Sequence, residues 1–239
     1  MRSGKLKSIF HALIAMALTG VQPGSAALVT LTGSNVIYEY DSVINADALA
    51  MLGTPSIVGD AIRFLPPSLR AQSLNGRGPD SVTANFNFSS VRTIGAAEIS
   101  SVRLLEFGDN EIGGGGNVSA ELPVAISNNA SPAESTQDVA SFATSGATGG
   151  LRLWSLESTL NPADAFSSIA SDISLSFGNT LTASTSELGH SAWIQKKLAF
   201  VASTTAPATP LSEPRSIATF AIGLLGMLAI GRRRVYAAR

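Results

Sequence analysis

The sequence predicts an all-β body, an antiparallel β-sandwich of jelly-roll type, carried between an N-terminal signal helix and a single C-terminal transmembrane helix. Three observations lead there. Apolar residues alternate with Thr, Asn, Ser and Glu over several short runs, the period of two expected of half-buried strands. Clusters of Ser, Thr, Asn and Gly separate these runs, and the body carries no long helical stripe. Each end holds one short uncharged apolar run outside that pattern.

Taken in order, Arg2, Lys5 and Lys7 precede the apolar run 9–18, and Gly24, Ser25, Ala26 and Ala27 follow it. That layout is a secretory signal peptide, residues 1–26, cleaved by signal peptidase near Ala26 and Ala27. His11 lies inside its apolar run. Residues 27–202 are read as the exported β-sandwich domain. Strands are expected at 35–40 and 57–65, with a short helix at 46–52 between them. Val82, Ala84, Phe86 and Phe88 alternate with Thr83, Asn85 and Asn87 as a further strand. The strand 99–107 precedes a loop at 113–116. Val118, Ala120, Leu122, Val124 and Ile126 form the next, with Pro123 marking an edge or bulge because proline cannot donate to a ladder. Residues 128–135 read as a loop and 151–156 as a strand. A short helix is expected at 162–170, with Asn161 as its N-cap and Pro162 in first position. Ile173, Leu175 and Phe177 lead to a turn at Gly178-Asn179, beyond which Leu181 and Ala183 resume the alternation. The strand 192–202 closes the body, and residues 203–211 read as an extended Thr/Ala/Pro spacer.

Behind the spacer stand Ser212, Glu213 and Pro214, the uncharged run 217–230, and Arg232, Arg233 and Arg234. The helix expected at 216–231 is short. Fourteen residues rise roughly 21 Å, against a hydrocarbon core of about 30 Å, which suits a transient stay in the membrane better than a permanent one. The arginines keep to the cytoplasmic side, leaving 235–239 as a cytoplasmic tail. These residues resemble the sorting signal of the PEP-CTERM proteins of Gram-negative bacteria, a Pro-Glu-Pro motif followed by a transmembrane helix and an arginine cluster. Ser212 stands where that family usually has its first proline. The resemblance implies that residues 212–234 are recognised by an exosortase, an inner-membrane Cys protease or transpeptidase that removes the tail. It also implies a route through the inner membrane to the cell surface or the extracellular matrix. Segments 105–109 and 192–197 look like stretches that recur in uncharacterised members of the same group.

Charge narrows the function classes. The two ends carry eight of the 16 Lys and Arg but only one of the 17 Asp and Glu, so the interval between them holds 8 cations against 16 acids, a net charge of −8. Such a body suits an extracellular setting and makes no nucleic-acid partner, which would require clustered Lys and Arg. Cysteine is absent, so there is no catalytic thiol, disulfide or thiolate metal site.

Candidate chemistry is sparse. His190 has Ser191 and Glu187 beside it, but no nucleophile elbow presents the serine, and a loop histidine is the better reading. Asp109, Asn110 and Glu111, read as a loop before the glycines, offer oxygen ligands for Ca²⁺, against the plainer reading of a solvated turn. Gly113–Gly116 lacks the Gly-Lys-Ser/Thr ending of a phosphate loop. Phe86, Phe88, Trp154 and Trp193 could stack on sugars if exposed, though three of the four are expected in the core. Lys196-Lys197 reads as a solvated strand end. The expectation is a non-enzymatic structural or interaction protein without a cofactor, sorted by an exosortase and associated with exopolysaccharide or biofilm. The alternatives are a carbohydrate-binding module or weak polysaccharide hydrolase, and a permanently tail-anchored periplasmic protein.

Overall fold

The computed structural model describes residues 27–207; the predicted signal peptide and sorting signal lie outside them. Twelve strands appear in order: β1 (Leu28–Thr32), β2 (Val36–Asp41), β3 (Ser56–Val58), β4 (Ala61–Phe64), β5 (Arg70–Leu74), β6 (Gly78–Thr93), β7 (Ala97–Gly113), β8 (Asn117–Asn128), β9 (Ser131–Ser145), β10 (Arg152–Leu160), β11 (Asp172–Thr185) and β12 (Ser191–Pro207). One helix, α1 (Ala46–Leu52), follows β2.

The strands form two antiparallel sheets. The first has the order β1-β2-β6-β11-β8-β9; the second has β10-β7-β12-β4-β3, with β5 also paired to β12. The sheets pack face to face, β11 of the first lying against β12 and β5 of the second. Inner faces carry the apolar half of each alternation, and together they bury one continuous core. Its densest part is aromatic. Phe86 has its ring 5.2 Å from Tyr40, 4.9 Å from Phe88 and 5.8 Å from Phe177. Phe64 of the opposite sheet reaches it at 5.1 Å, edge to face. At one side of the sandwich Phe142 of β9 stacks on Trp154 of β10, 6.0 Å between ring centres.

Expectation and fold part at several points, each with a physical cause. Residues 57–65 are two strands folded at Gly59-Asp60, because Gly59 takes φ 64°. Pro123 lies in an interior strand, since β8 has β11 on one side and β9 on the other. The ladder to β11 lapses there, pairing Val124 with Phe177 and next Glu121 with Thr180, and the proline ring packs over Gly178. Gly178-Asn179 is no turn. β11 runs straight through it, with both residues buried. The loop read at 128–135 is a two-residue connection, Asn129-Ala130, and β9 already begins at Ser131. The helix at 162–170 reduces to a 3-10 turn, Pro162–Asp164, in which Asn161 makes no side-chain cap. Finally, Ser203–Pro207 is not spacer but the end of β12, paired with β7 as far as Ala97.

Candidate functional site

The centre of the sandwich holds polar side chains where apolar ones are the rule. β7 points Val102, Leu104, Glu106, Gly108, Asn110 and Ile112 inward by strict alternation. β12 points Ala192, Ile194 and Lys196 inward. Its register against β7 then shifts between Lys196 and Leu198, so Lys197 turns out to solvent and the inward phase resumes at Ala199. β11 points Ile173, Leu175, Phe177, Asn179, Leu181 and Ala183 inward from the other sheet. Glu106, Lys196 and Asn179 are each 0% exposed.

These three meet. The Lys196 Nζ donates to Glu106 Oε1, and the Asn179 Nδ2 donates to Glu106 Oε2, so one carboxyl group bridges an amine and an amide. The Asn179 Oδ1 is buried without a partner, as are both amide atoms of Asn110 on the same face of β7. Burial pushes the Glu106 carboxyl up from its ordinary range, with Lys196 opposing. Burial likewise pushes the Lys196 ammonium down, with Glu106 opposing. Both shifts favour the uncharged forms, a carboxylic acid beside a free amine.

Gly108 sits in register with Trp154 on one side and Lys196 on the other. A side chain there would run into the Gln195 carbonyl at 2.0 Å and the Trp154 ring at 2.5 Å. Only glycine lets the indole lie across the strand beside the polar trio. The Trp154 Nε1 donates to the Asp109 carbonyl at 3.2 Å, fixing the ring in place.

The residues singled out from sequence fall elsewhere. Asp109, Asn110 and Glu111 lie on β7 rather than a loop, with Asn110 facing inward between two outward carboxylates, so the three cannot converge on one Ca²⁺. Asp109 instead lies 3.7 Å from the Lys197 ammonium. His190 occupies the β11–β12 turn with its ring against Gly114 and Gly115, and its Nε2 is 3.6 Å from Glu187. Among the described residues no hydrogen bond joins it to Ser191. Phe86, Phe88 and Trp154 are core residues; Trp193 is half-buried beneath the Arg70 guanidinium, 4.6 Å above its ring. Lys196, read as solvated, is buried. A shallow depression of about 450 Å³ lies on the outer face of the first sheet, lined mainly by Ser119, Thr144, Ser145, Thr182 and Ser184. No family model matches the sequence, and no curated protein matches it either.

Proposed function

We propose that the chain is an exported, exosortase-sorted structural protein of the cell surface or extracellular matrix, with no catalytic turnover of an external substrate. The observation that carries the reading is the order of Ser212, Glu213, Pro214, the apolar run 217–230 and Arg232–Arg234 directly behind the body. The described strands all lie within residues 28–207, and the core residues named above belong to them and to the connections between them, inside the span that cleavage at the two ends would leave. The strand order supports the jelly-roll reading: β6-β11-β8-β9 faces β10-β7-β12 with β4 and β5, the double Greek key of that fold.

A sugar-binding module would want its aromatics on an open face. Phe86, Phe88 and Trp154 lie in the core instead, and of the four only Trp193 is half-buried, with the Arg70 guanidinium over its ring. A structural or interaction role is therefore preferred to carbohydrate stacking or hydrolysis.

Deleting residues 212–239 tests the sorting reading. The expected result is continued export with loss of surface display, together with mature wild-type protein that lacks the Arg239 terminus by mass spectrometry. Wild-type protein recovered with Arg239 intact, and a deletion mutant of unchanged location, would overturn it.

A further inference from the structure

We propose that Lys196 and Asn179 join covalently in an autocatalytic isopeptide bond, promoted by Glu106, that staples β12 of one sheet to β11 of the other. The geometry brings the three required groups together. The amine and the amide are hydrogen-bonded to the two oxygens of one carboxyl group. All three side chains are sealed from solvent, which excludes the water that would compete as nucleophile. An amine is nucleophilic only when uncharged, and desolvation biases Lys196 toward that form while biasing Glu106 toward the acid.

The step balances without any further reagent. The Lys196 Nζ attacks the Asn179 Cγ, forming the new C–N bond, and the Cγ–Nδ2 bond breaks. Of the two protons on the free amine, one remains on the new amide. Glu106 gives its own proton to the carbonyl oxygen as Nζ attacks, takes the other amine proton and passes it to Nδ2, which leaves as ammonia, and it recovers its first proton as the carbonyl reforms. A turn of the amide about the Asn179 Cβ–Cγ bond brings the unpartnered Oδ1 against the protonated carboxyl, which then polarises the carbonyl as it is attacked. Glu106 touches both reacting groups and is the catalytic residue of this one-turnover reaction. Afterwards the core holds a neutral amide and a neutral carboxyl group, so no charge is created in burial by the reaction. A chain without cysteine gains by this route the covalent cross-link that exported domains otherwise take from disulfides.

The test is intact-mass measurement of the purified full chain, followed by digestion under denaturing conditions. Bond formation removes ammonia, so the chain should weigh about 17 Da less than its sequence requires. Cleavage after glutamates and basic residues separates 158–187, which holds Asn179, from 188–197, which holds Lys196. The expected product is these two peptides joined, with Lys196 resistant to trypsin. Full mass with free peptides would overturn the proposal. So would a chain that has lost ammonia but yields separate peptides, because that is cyclisation of an asparagine to a succinimide. Glu106→Gln should stay folded by circular dichroism and carry no link; a folded E106Q chain linked as completely as wild type would remove Glu106 from the reaction. Lys196→Arg should also show full mass.

Discussion

Gly108→Ala is the sharpest single perturbation of the centre of the molecule. Gly108 does not have a positive φ, so the backbone itself would accept alanine. The cost is steric. The new methyl would lie 2.0 Å from the Gln195 carbonyl and 2.5 Å from two atoms of the Trp154 ring. The carbonyl belongs to β12 just before the register shift, so relieving that contact moves β12 and Lys196 with it, and the indole has to give way as well. If the ring shifts within the core, the cost is that of overpacking, about 1–3 kcal/mol. If it is expelled, exposure of roughly 150–250 Å² at about 25 cal/mol per Å² sets a ceiling of about 4–6 kcal/mol. The expected loss is therefore about 2–5 kcal/mol, or a fall of about 1–2.5 M in urea midpoint for a slope near 2 kcal/mol/M. Urea titration followed by tryptophan fluorescence measures it, since Trp154 is one of only two tryptophans. Gly146→Ala provides the contrast: φ is 78° there but nothing stands within 4 Å, so only backbone strain of about 1 kcal/mol applies. A G108A midpoint no lower than that of G146A would refute the steric account of the site.

Other perturbations give outcomes of different kinds. Phe86→Ala empties the middle of the aromatic cluster and should cost about 3–5 kcal/mol in the same titration. Asn45→Ala should cost about 2–4 kcal/mol, since the buried amide donates to the Asp41 and Asn87 carbonyls at 2.8 and 3.0 Å and accepts from the Asn87 N–H at 2.8 Å. Its loss should be visible as faster hydrogen exchange in α1 and its flanks. Glu134 accepts hydrogen bonds from Ser167, Ser168 and Asn128, which hold its pKa down at about 2 against an ordinary 4.5. A carboxylate whose folded pKa is depressed stabilises the fold above the unfolded value and loses that contribution as pH falls through the folded one. Thermal melts should therefore drop between pH 4.5 and 2, with a shallower fall in Glu134→Gln.

Much of the secondary structure can be read from alternation alone. Val118 to Ile126 and Val82 to Phe88 keep a clean period of two because each strand has one buried face. The helix at 46–52 is bounded by the backbone demands of Asn45 and of Gly53, whose φ of 80° ends it. The buried trio was equally present in the pattern. Glu106 follows Val102 and Leu104 in phase, Lys196 follows Ala192 and Ile194, and Asn179 falls between Phe177 and Leu181. Residue type obscured it: Gly-Asn suits a turn and Lys-Lys suits solvent, so chemistry outweighed phase. The register shift at Lys197 concealed the rest, because it breaks the alternation that would have marked both lysines' faces. The joining of β7, β12 and β11 is a matter of pairing between residues far apart in sequence, which local pattern does not encode.

β12 occupies the middle of its sheet, with β7 along one flank and β4 and β5 along the other. It is also the last described strand, ending at Pro207. A tensile load entering by that end runs parallel to the strand axis, so the ladders on both flanks are sheared together instead of being unzipped one bond at a time. Resistance to such a pull is set by the rate of forced unfolding rather than by equilibrium stability. A pull applied at Pro207 thus enters the body through its best-supported strand, and the flanking ladders share the load before any single ladder bond can be peeled away.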